Sequence, residues 1–306
     1  MKVRNKWLVA VSIIIVLFVA GVYVFIPSQL TLSTVKAFKC NAGGAVRTMN
    51  DGDSWKKWWP DKGVNGYSYH VAGKLYQEVG ISLEKEGHSF EGRLAFIQKG
   101  PVDSALIHWQ CRFSTSLNPL KRIAQYREAF LVRRTMDTVL SLMGGFLEKK
   151  VNIYGMEIHN DMSKDSCLAV TKWMASSYPT TADIYKVIAD LRSYIASQGA
   201  KEIDYPMLHV ASPQNGQLEI MVAVPIDRGV KANGRIFPRN FVPWKILTGE
   251  VTGGIFMAER GMEQMGKYLE DYQRTAMAVS FQSLVTERIQ ETDTSRWVTR
   301  IIVPVY

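Results

Sequence analysis

The run from Trp7 to Ile26 holds twenty residues without a charge and is rich in Val, Ile and Leu. At about 1.5 Å per residue a helix of that length covers about 30 Å, the hydrocarbon thickness of a bilayer. Such a stretch fits poorly inside a water-soluble domain, so it divides the chain into an anchor, residues 1–29, and a soluble part. Only Ser12 is clearly polar, and a helix satisfies its hydroxyl internally. Trp7 and Tyr23 stand near the two ends, where interfacial aromatics belong, and Pro27-Ser28 closes the run. A cleaved leader is the competing reading. Its apolar core is shorter, about 7–15 residues, and ends at small residues, whereas Tyr23, Val24, Phe25 and Ile26 are bulky. Lys2, Arg4 and Lys6 precede the run with no acidic residue, which points to a single pass through the inner membrane with the N-terminus cytoplasmic. The soluble part is then periplasmic or extracellular.

With 306 residues in all, the soluble part suits two domains. Apolar residues make up 47% and charged residues 21%, which excludes a disordered chain. Cys40, Cys111 and Cys167 are too few for a disulfide framework or a four-cysteine metal site, and read as small buried hydrophobes. The histidines at 70, 88, 108, 159 and 209 show no paired ligand spacing. The chain has no G-x-S-x-G, H-E-x-x-H, Walker or G-x-G-x-x-G motif. No metal and no cofactor is expected.

The net charge of +9 is unevenly spread. Residues 31–150 carry 18 basic and 11 acidic residues, and residues 151–306 carry 16 and 17. The excess belongs to the membrane-proximal part, where it suits anionic lipid heads. No helix-turn-helix precedes the near-neutral part, so no nucleic-acid partner is expected.

Residues 30–150 read as a strand (30–39), a short helix (42–49), strands at 74–83, 90–98 and 105–114, and a long helix over 126–150. In that helix Val132, Met136, Val139, Leu140, Met143, Phe146 and Leu147 form one apolar stripe. Order and lengths suggest an antiparallel sheet gripping a helix around a cavity. Trp55-x-x-Trp58-Trp59-Pro60, followed by Asp103-Ser104-x-x-x-x-Trp109 and the long helix, resembles the START-like (SRPBCC) domains. That resemblance implies a hydrophobic ligand cavity, with Trp55, Trp58 and Trp109 as its candidate residues. Packing of the tryptophans onto the sheet is the alternative.

Residues 151–306 contain a repeat. A helix over 180–199 leads to a strand at 218–226 ending Ala-Val-Pro-Ile, and a helix over 261–274 leads to 281–289 and a strand at 297–305 ending Ile-Val-Pro-Val. Pro225 and Pro304 are 79 residues apart. Each half also opens with a strand-like run, at 151–158 and 244–252, so the unit is β-α-β-β, present twice. Thr286-Glu287-Arg288 before Arg296-Trp297-x-Thr299-x-Ile301-x-Val303-Pro304-Val305 resembles the GyrI-like effector-binding domains. The resemblance implies an aromatic pocket holding Glu287 against cationic or amphipathic ligands; Ile289 stands where an aromatic is usual. Trp173, Tyr178, Tyr185, Trp244, Phe256, Tyr268 and Trp297 are the candidate groove aromatics. His209 falls near the repeat-related position of Glu287.

These readings give an α+β protein: a transmembrane helix, a helix-grip sheet domain (30–150) and a duplicated effector-binding domain (151–306). The expected function is non-catalytic binding of an amphipathic or cationic small molecule or lipid. One competing reading is a hydrolase or isomerase using Glu287 as general acid or base. The other is a structural envelope component without a ligand.

Overall fold

The computed structural model describes residues 2–74, 77–86, 88–164, 166–211, 216–241 and 243–306. The chain is α+β, with two antiparallel sheets, and divides into compact units of residues 1–149 and 150–306.

Helix α1 (Lys2–Phe25) opens the first unit. From Trp7 to Phe25 its mean hydropathy is 2.9 and its side chains are largely exposed, so it is long and apolar enough to cross a membrane. Its far end is fastened to the unit. The Tyr23 hydroxyl donates to the Leu117 carbonyl, and Arg122 Nε donates to the Ile26 carbonyl at 2.8 Å. The Arg122 guanidinium also lies 4.8 Å from the Tyr23 ring centre.

The unit continues through β1 (Gln29–Phe38), α2 (Ala42–Met49), α3 (Gly52–Trp55), β2 (Ser68–Lys74), β3 (Glu78–Lys85), β4 (His88–Gln98), β5 (Ala105–Ser114) and α4 (Pro119–Leu147). The sheet order is β1-β5-β4-β3-β2. Helix α4 lies against β1 and β5, and α2 against β4 and β3. Alternation along β5 buries Ala105, Ile107, Trp109 and Cys111, which settles the direction of Trp109: it points inward. On α4 the stripe Val132, Met136, Val139, Leu140, Met143 and Leu147 is essentially inaccessible to water. Each such side chain contributes about 1.5–3 kcal/mol through burial.

Two sequence expectations shift here. The strand expected at 74–83 is the end of β2 and most of β3, paired from Val71↔Ile81 to Lys74↔Val79; its residues 75 and 76 lie outside the described residues. Helix α4 starts at Pro119 rather than residue 126. Asn118 accepts the Leu120 and Lys121 amides at 3.0 and 3.2 Å, and a proline suits the first turn because its missing N–H would be unpaired there anyway.

The second unit runs α5 (Lys150–Tyr154), β6 (Ile158–Met162), β7 (Ser166–Ala175), α6 (Thr181–Ser197), β8 (Met207–Val210), β9 (Leu218–Ile226), β10 (Phe237–Phe241), β11 (Lys245–Thr252), α7 (Ile255–Asp271), β12 (Phe281–Leu284) and β13 (Val298–Pro304). The sheet order, β10-β7-β9-β8-β12-β13-β11-β6, reads as two matching halves meeting at β8 and β12. Each half is β-β-α-β-β, and each first strand sits at the edge of the other half: β6 beside β11, β10 beside β7. The expected β-α-β-β unit is thus one strand short. The opening run expected at 151–158 is largely helix α5, which ends at Gly155 with φ +75°. The strand that precedes α6 is β7, the counterpart of β11.

The prolines of the repeat occupy matching places. Pro225 lies beyond the last β8 partner of β9, and its carbonyl accepts the Ile203 amide at 3.0 Å. Pro304 lies beyond the last β12 partner of β13, and its carbonyl accepts the Met277 amide at 2.9 Å. A missing N–H is tolerated there because no neighbouring strand asks for it.

Helix α6 is started by a reciprocal cap, Thr180 Oγ1 accepting the Asp183 amide and the Asp183 carboxylate accepting the Thr180 amide. It packs Ile184, Ile188, Leu191 and Ile195 on Ile220, Val222 and Val224. Helix α7 packs Met265 and Tyr268 on Leu247, Val251, Ile301 and Val303. It starts at Ile255, earlier than the expected residue 261. Because positions 220 to 224 and 299 to 303 are equivalent in the repeat, both helices cover the same face.

Candidate functional site

On the helix-covered face the two cores are separate clusters, and beside Leu208 and Leu284, which close the first, comes a strip of buried polar side chains. Gln282 of β12 pairs with Leu208 of β8 at the centre of the sheet and is 5% exposed. On the same face come Thr299 of β13, which pairs with Leu284 and is fully buried, and Arg288, 4% exposed. From the first half, Tyr178 precedes α6 and Tyr185 lies on it.

Tyr185 ties the strip together. Its hydroxyl accepts the Arg288 amide at 2.9 Å and donates to the Thr286 carbonyl at 3.1 Å. Arg288 Nη2 donates to Thr299 Oγ1 at 2.7 Å, and the guanidinium lies 5.0 Å from the Trp297 ring centre. Tyr178 faces Gln282, but neither its hydroxyl nor Gln282 Oε1 closes a well-formed hydrogen bond. Burial pushes both phenols above their ordinary pKa and pulls the Arg288 guanidinium below its own.

Glu287 stands at the rim. It lies in the loop after β12, because that strand stops at Leu284 rather than running to residue 289; on β12 the partners of β8 are Gln282 and Ser283. Arg192 Nη2 reaches the Glu287 carboxylate at 3.2 Å, and Arg192 Nε reaches Glu202 at 2.8 Å. These three side chains are 29–36% exposed. Trp297 is buried, and its Nε1 donates to the Glu291 carbonyl at 2.8 Å.

The other candidates separate. His209 sits on β8, and strand alternation turns it with Met207 to the face away from the helices; its Nδ1 is 2.6 Å from the Ser280 carbonyl oxygen. Its repeat mate is Ser283, since His209 pairs with Met221 and Ser283 with Arg300, the equivalent residue. The expected kinship with Glu287 does not hold, and no acid–base pair of Glu287 with His209 forms. Tyr268 packs under α7 with Tyr154 and Tyr272 and has Lys150 Nζ 3.2 Å from its hydroxyl. Trp173 is half-buried against the α6 core. Phe256, at the start of α7, is 70% exposed, and Trp244 is exposed with Nε1 bonded to the Val305 carbonyl at 3.0 Å.

In the first unit Trp55 is fully buried, donates Nε1 to the Met49 carbonyl at 2.7 Å and contacts Trp58, Trp59 and Tyr69. This is a packing role for Trp55. Trp58 is half-buried against Phe146, and its Nε1, like that of buried Trp109, meets no acceptor among the described residues.

A pocket of about 810 Å³ lies on the helix-free face of the second sheet. Met156, His159, Met207, Ile246, Phe281, Arg300 and Ile302 line it, and none of the sequence candidates does. Among the described residues no group of three or more His, Cys, Asp or Glu side chains could hold a metal ion.

The sequence matches no family profile and no curated protein. Among solved structures, the chain is similar to the C-terminal domain of EcmrR (12% identity, 49% of this chain and 98% of that one, TM-score 0.43). It is also similar to SAV2435 bound to tetraphenylphosphonium (17% identity, 49% and 94%, TM-score 0.33). A START superfamily protein from Mycobacterium smegmatis is similar at 14% identity over 40% of this chain and 96% of that one, with a TM-score of 0.27. At such identities and TM-scores no residue role carries over to this chain.

Proposed function

We propose that this is a membrane-anchored protein that binds an amphipathic small molecule without transforming it, and that the strip between α6 and α7 is the binding site. The observation behind this reading is the polar strip itself. A sheet covered by two helices would normally close its centre with apolar side chains alone; here Gln282, Thr299, Arg288 and two tyrosines stand beside Leu208 and Leu284, several with unspent hydrogen-bonding capacity. Buried polar groups are costly unless partnered, and a ligand supplies partners. His209 does not meet Glu287, and the nearby Tyr185 hydroxyl is taken up by backbone groups of residues 286 and 288, which weakens the acid–base alternative.

The first unit fits a START-like reading in its antiparallel sheet and long terminal helix, and it would present its basic excess to lipid. Helix α1 is read as the anchor. Its end is held by Arg122 and the Leu117 carbonyl, which would keep the first unit at the bilayer surface with the chain beyond it outside the cytoplasm.

Thermal unfolding of the detergent-extracted full-length protein against a panel of amphipathic aromatic and acyl compounds tests the binding. Binding raises the unfolding temperature by mass action. A rise with some members and retention of a co-purifying small molecule in native mass spectrometry are expected. No shift with any compound and a bare native mass would end this reading. Labelling of a cysteine introduced at exposed Lys201 by an impermeant maleimide in whole cells tests the orientation.

A further inference from the structure

The sequence directs attention to Glu287 and hence to cations. The structure assigns that carboxylate to Arg192 and leaves the charge of the next residue unanswered. Arg288 is 4% exposed, yet among the described residues no carboxylate pairs with it. Of its five N–H donors one meets Thr299 Oγ1, and the buried Nε donor meets no acceptor. The face of Trp297 and the phenols of Tyr185 and Tyr178 are also close to it. Leaving a guanidinium buried and unpaired is strongly unfavourable, so native proteins hold such a group only where something repays it.

The neighbouring groups suit an anion. Tyr178, whose buried hydroxyl faces the Gln282 side chain, supplies a further O–H donor; the unpartnered atom of Gln282 is its acceptor oxygen Oε1, and the Glu259 carboxylate also acts on Tyr178, so the positive charge at the site is that of Arg288. The Trp297 indole offers an apolar wall alongside the charge. Glu287 and Arg192 stay partly exposed at the rim of the strip. A second feature points to the same loop. Helices α6 and α7 start 74 residues apart, as do β8 and β12, but the prolines of β9 and β13 are 79 apart. The five additional residues therefore lie between β12 and β13, in the segment that carries Glu287, Arg288 and Trp297. The second half has departed from the repeat where the unpaired arginine sits.

We infer that the strip between α6 and α7 is an anion site, in which Arg288 takes the carboxylate, or a comparable single-charged head, of an organic ligand whose apolar body lies along Trp297. The inference rests on the binding reading above and reverses the charge that Glu287 alone suggests.

Three probes with one apolar body separate the possibilities: 2-naphthoate, 2-naphthylmethanol and 2-naphthylmethylammonium. Each is titrated calorimetrically into the detergent-purified full-length protein and into Arg288→Met and Arg288→Lys. The expected result is naphthoate binding at least tenfold tighter than the alcohol in the native protein. That preference should be lost in Arg288→Met and partly kept in Arg288→Lys, with the unfolding temperature of Arg288→Met not lowered. Alcohol or ammonium binding as tightly as naphthoate overturns the anion site while leaving small-molecule binding in place. Binding of none of the three overturns both. A naphthoate preference that survives Arg288→Met, or unfolding of both variants, makes the arginine a structural residue and overturns the assignment.

Discussion

The Tyr185 hydroxyl accepts the backbone N–H of Arg288 at 2.9 Å, across 103 residues of chain and between the two halves of the duplicated sheet. The same oxygen donates to the Thr286 carbonyl, so one phenol fixes three successive residues of the loop that carries Glu287. Tyr185→Phe removes the oxygen and leaves a buried amide and a carbonyl without partners. Leaving such groups unsatisfied costs about 1–3 kcal/mol. Urea denaturation should show that loss, and amide exchange at residues 286–288 should speed up. Unchanged exchange there would mean that the loop is held by other contacts.

The Glu202–Arg192–Glu287 cluster makes a weaker claim on stability. Its members are about one-third exposed, and pairs of that kind are worth about 0.2–1 kcal/mol each. The two carboxylates hold the Arg192 guanidinium well above its ordinary value, first through the hydrogen bonds that Arg192 donates to Glu202. Arg192→Met should cost about 1 kcal/mol at low salt, with the difference shrinking as added salt screens the cluster. A salt-independent loss would point to packing of the arginine stem instead.

Much of this arrangement is visible in sequence. The apolar run before Pro27, the apolar stripe of α4 and the matched prolines of β9 and β13 mark elements that the structure contains, because each rests on a period or a spacing local to the chain. The exchanged edge strands are not visible. Nothing near Ile158 or Phe237 tells either strand to pair with the opposite half; that is fixed by tertiary register. Arg288 draws no attention in sequence, because a lone arginine beside a glutamate reads as its ion-pair partner. Only the structure turns Glu287 toward Arg192 and leaves Arg288 under Tyr185. The 74-residue spacing of the helices, against 79 between the terminal strands, emerges only once the structure starts α7 at Ile255 rather than residue 261.

Burial sets the reactivity of the cysteines. It pushes the Cys40 thiol up to about 12, with a smaller contribution from Glu148, and the Cys111 thiol up to about 11, with a smaller one from Glu91. The thiolate is the nucleophile, and a raised pKa depletes it below that pKa. At pH 8 about one Cys111 thiol in a thousand, and fewer of Cys40, would be ionised. Iodoacetamide on the native protein should therefore modify half-buried Cys167 first. Labelling of the other two should rise about tenfold per pH unit while the fold persists. Mass spectrometry of the alkylated peptides reads this directly, and equal labelling of all three at pH 8 would contradict the buried positions of Cys40 and Cys111.

Gly144 sets how closely α4 approaches β1. A methyl group at this position would stand 1.9 Å from a ring carbon of Phe38, far inside van der Waals contact, with two further ring atoms within 2.7 Å. Helix propensity alone would make Gly144→Ala stabilising by about 1 kcal/mol. The clash has the opposite sign and is larger: overpacking a filled interface costs about 1–3 kcal/mol beyond what local relaxation recovers. Phe38 ends β1 and is only half-buried, so its ring can move outward, but that movement uncovers the α4 side of the sheet. Gly145, with no atom near its would-be methyl, is the control. Gly145→Ala should raise the stability of the first unit or leave it unchanged, while Gly144→Ala lowers it. Gly144→Ala in combination with Phe38→Leu should recover most of the loss, and a failure of that pair to couple would show that Phe38 does not limit the approach of the helix.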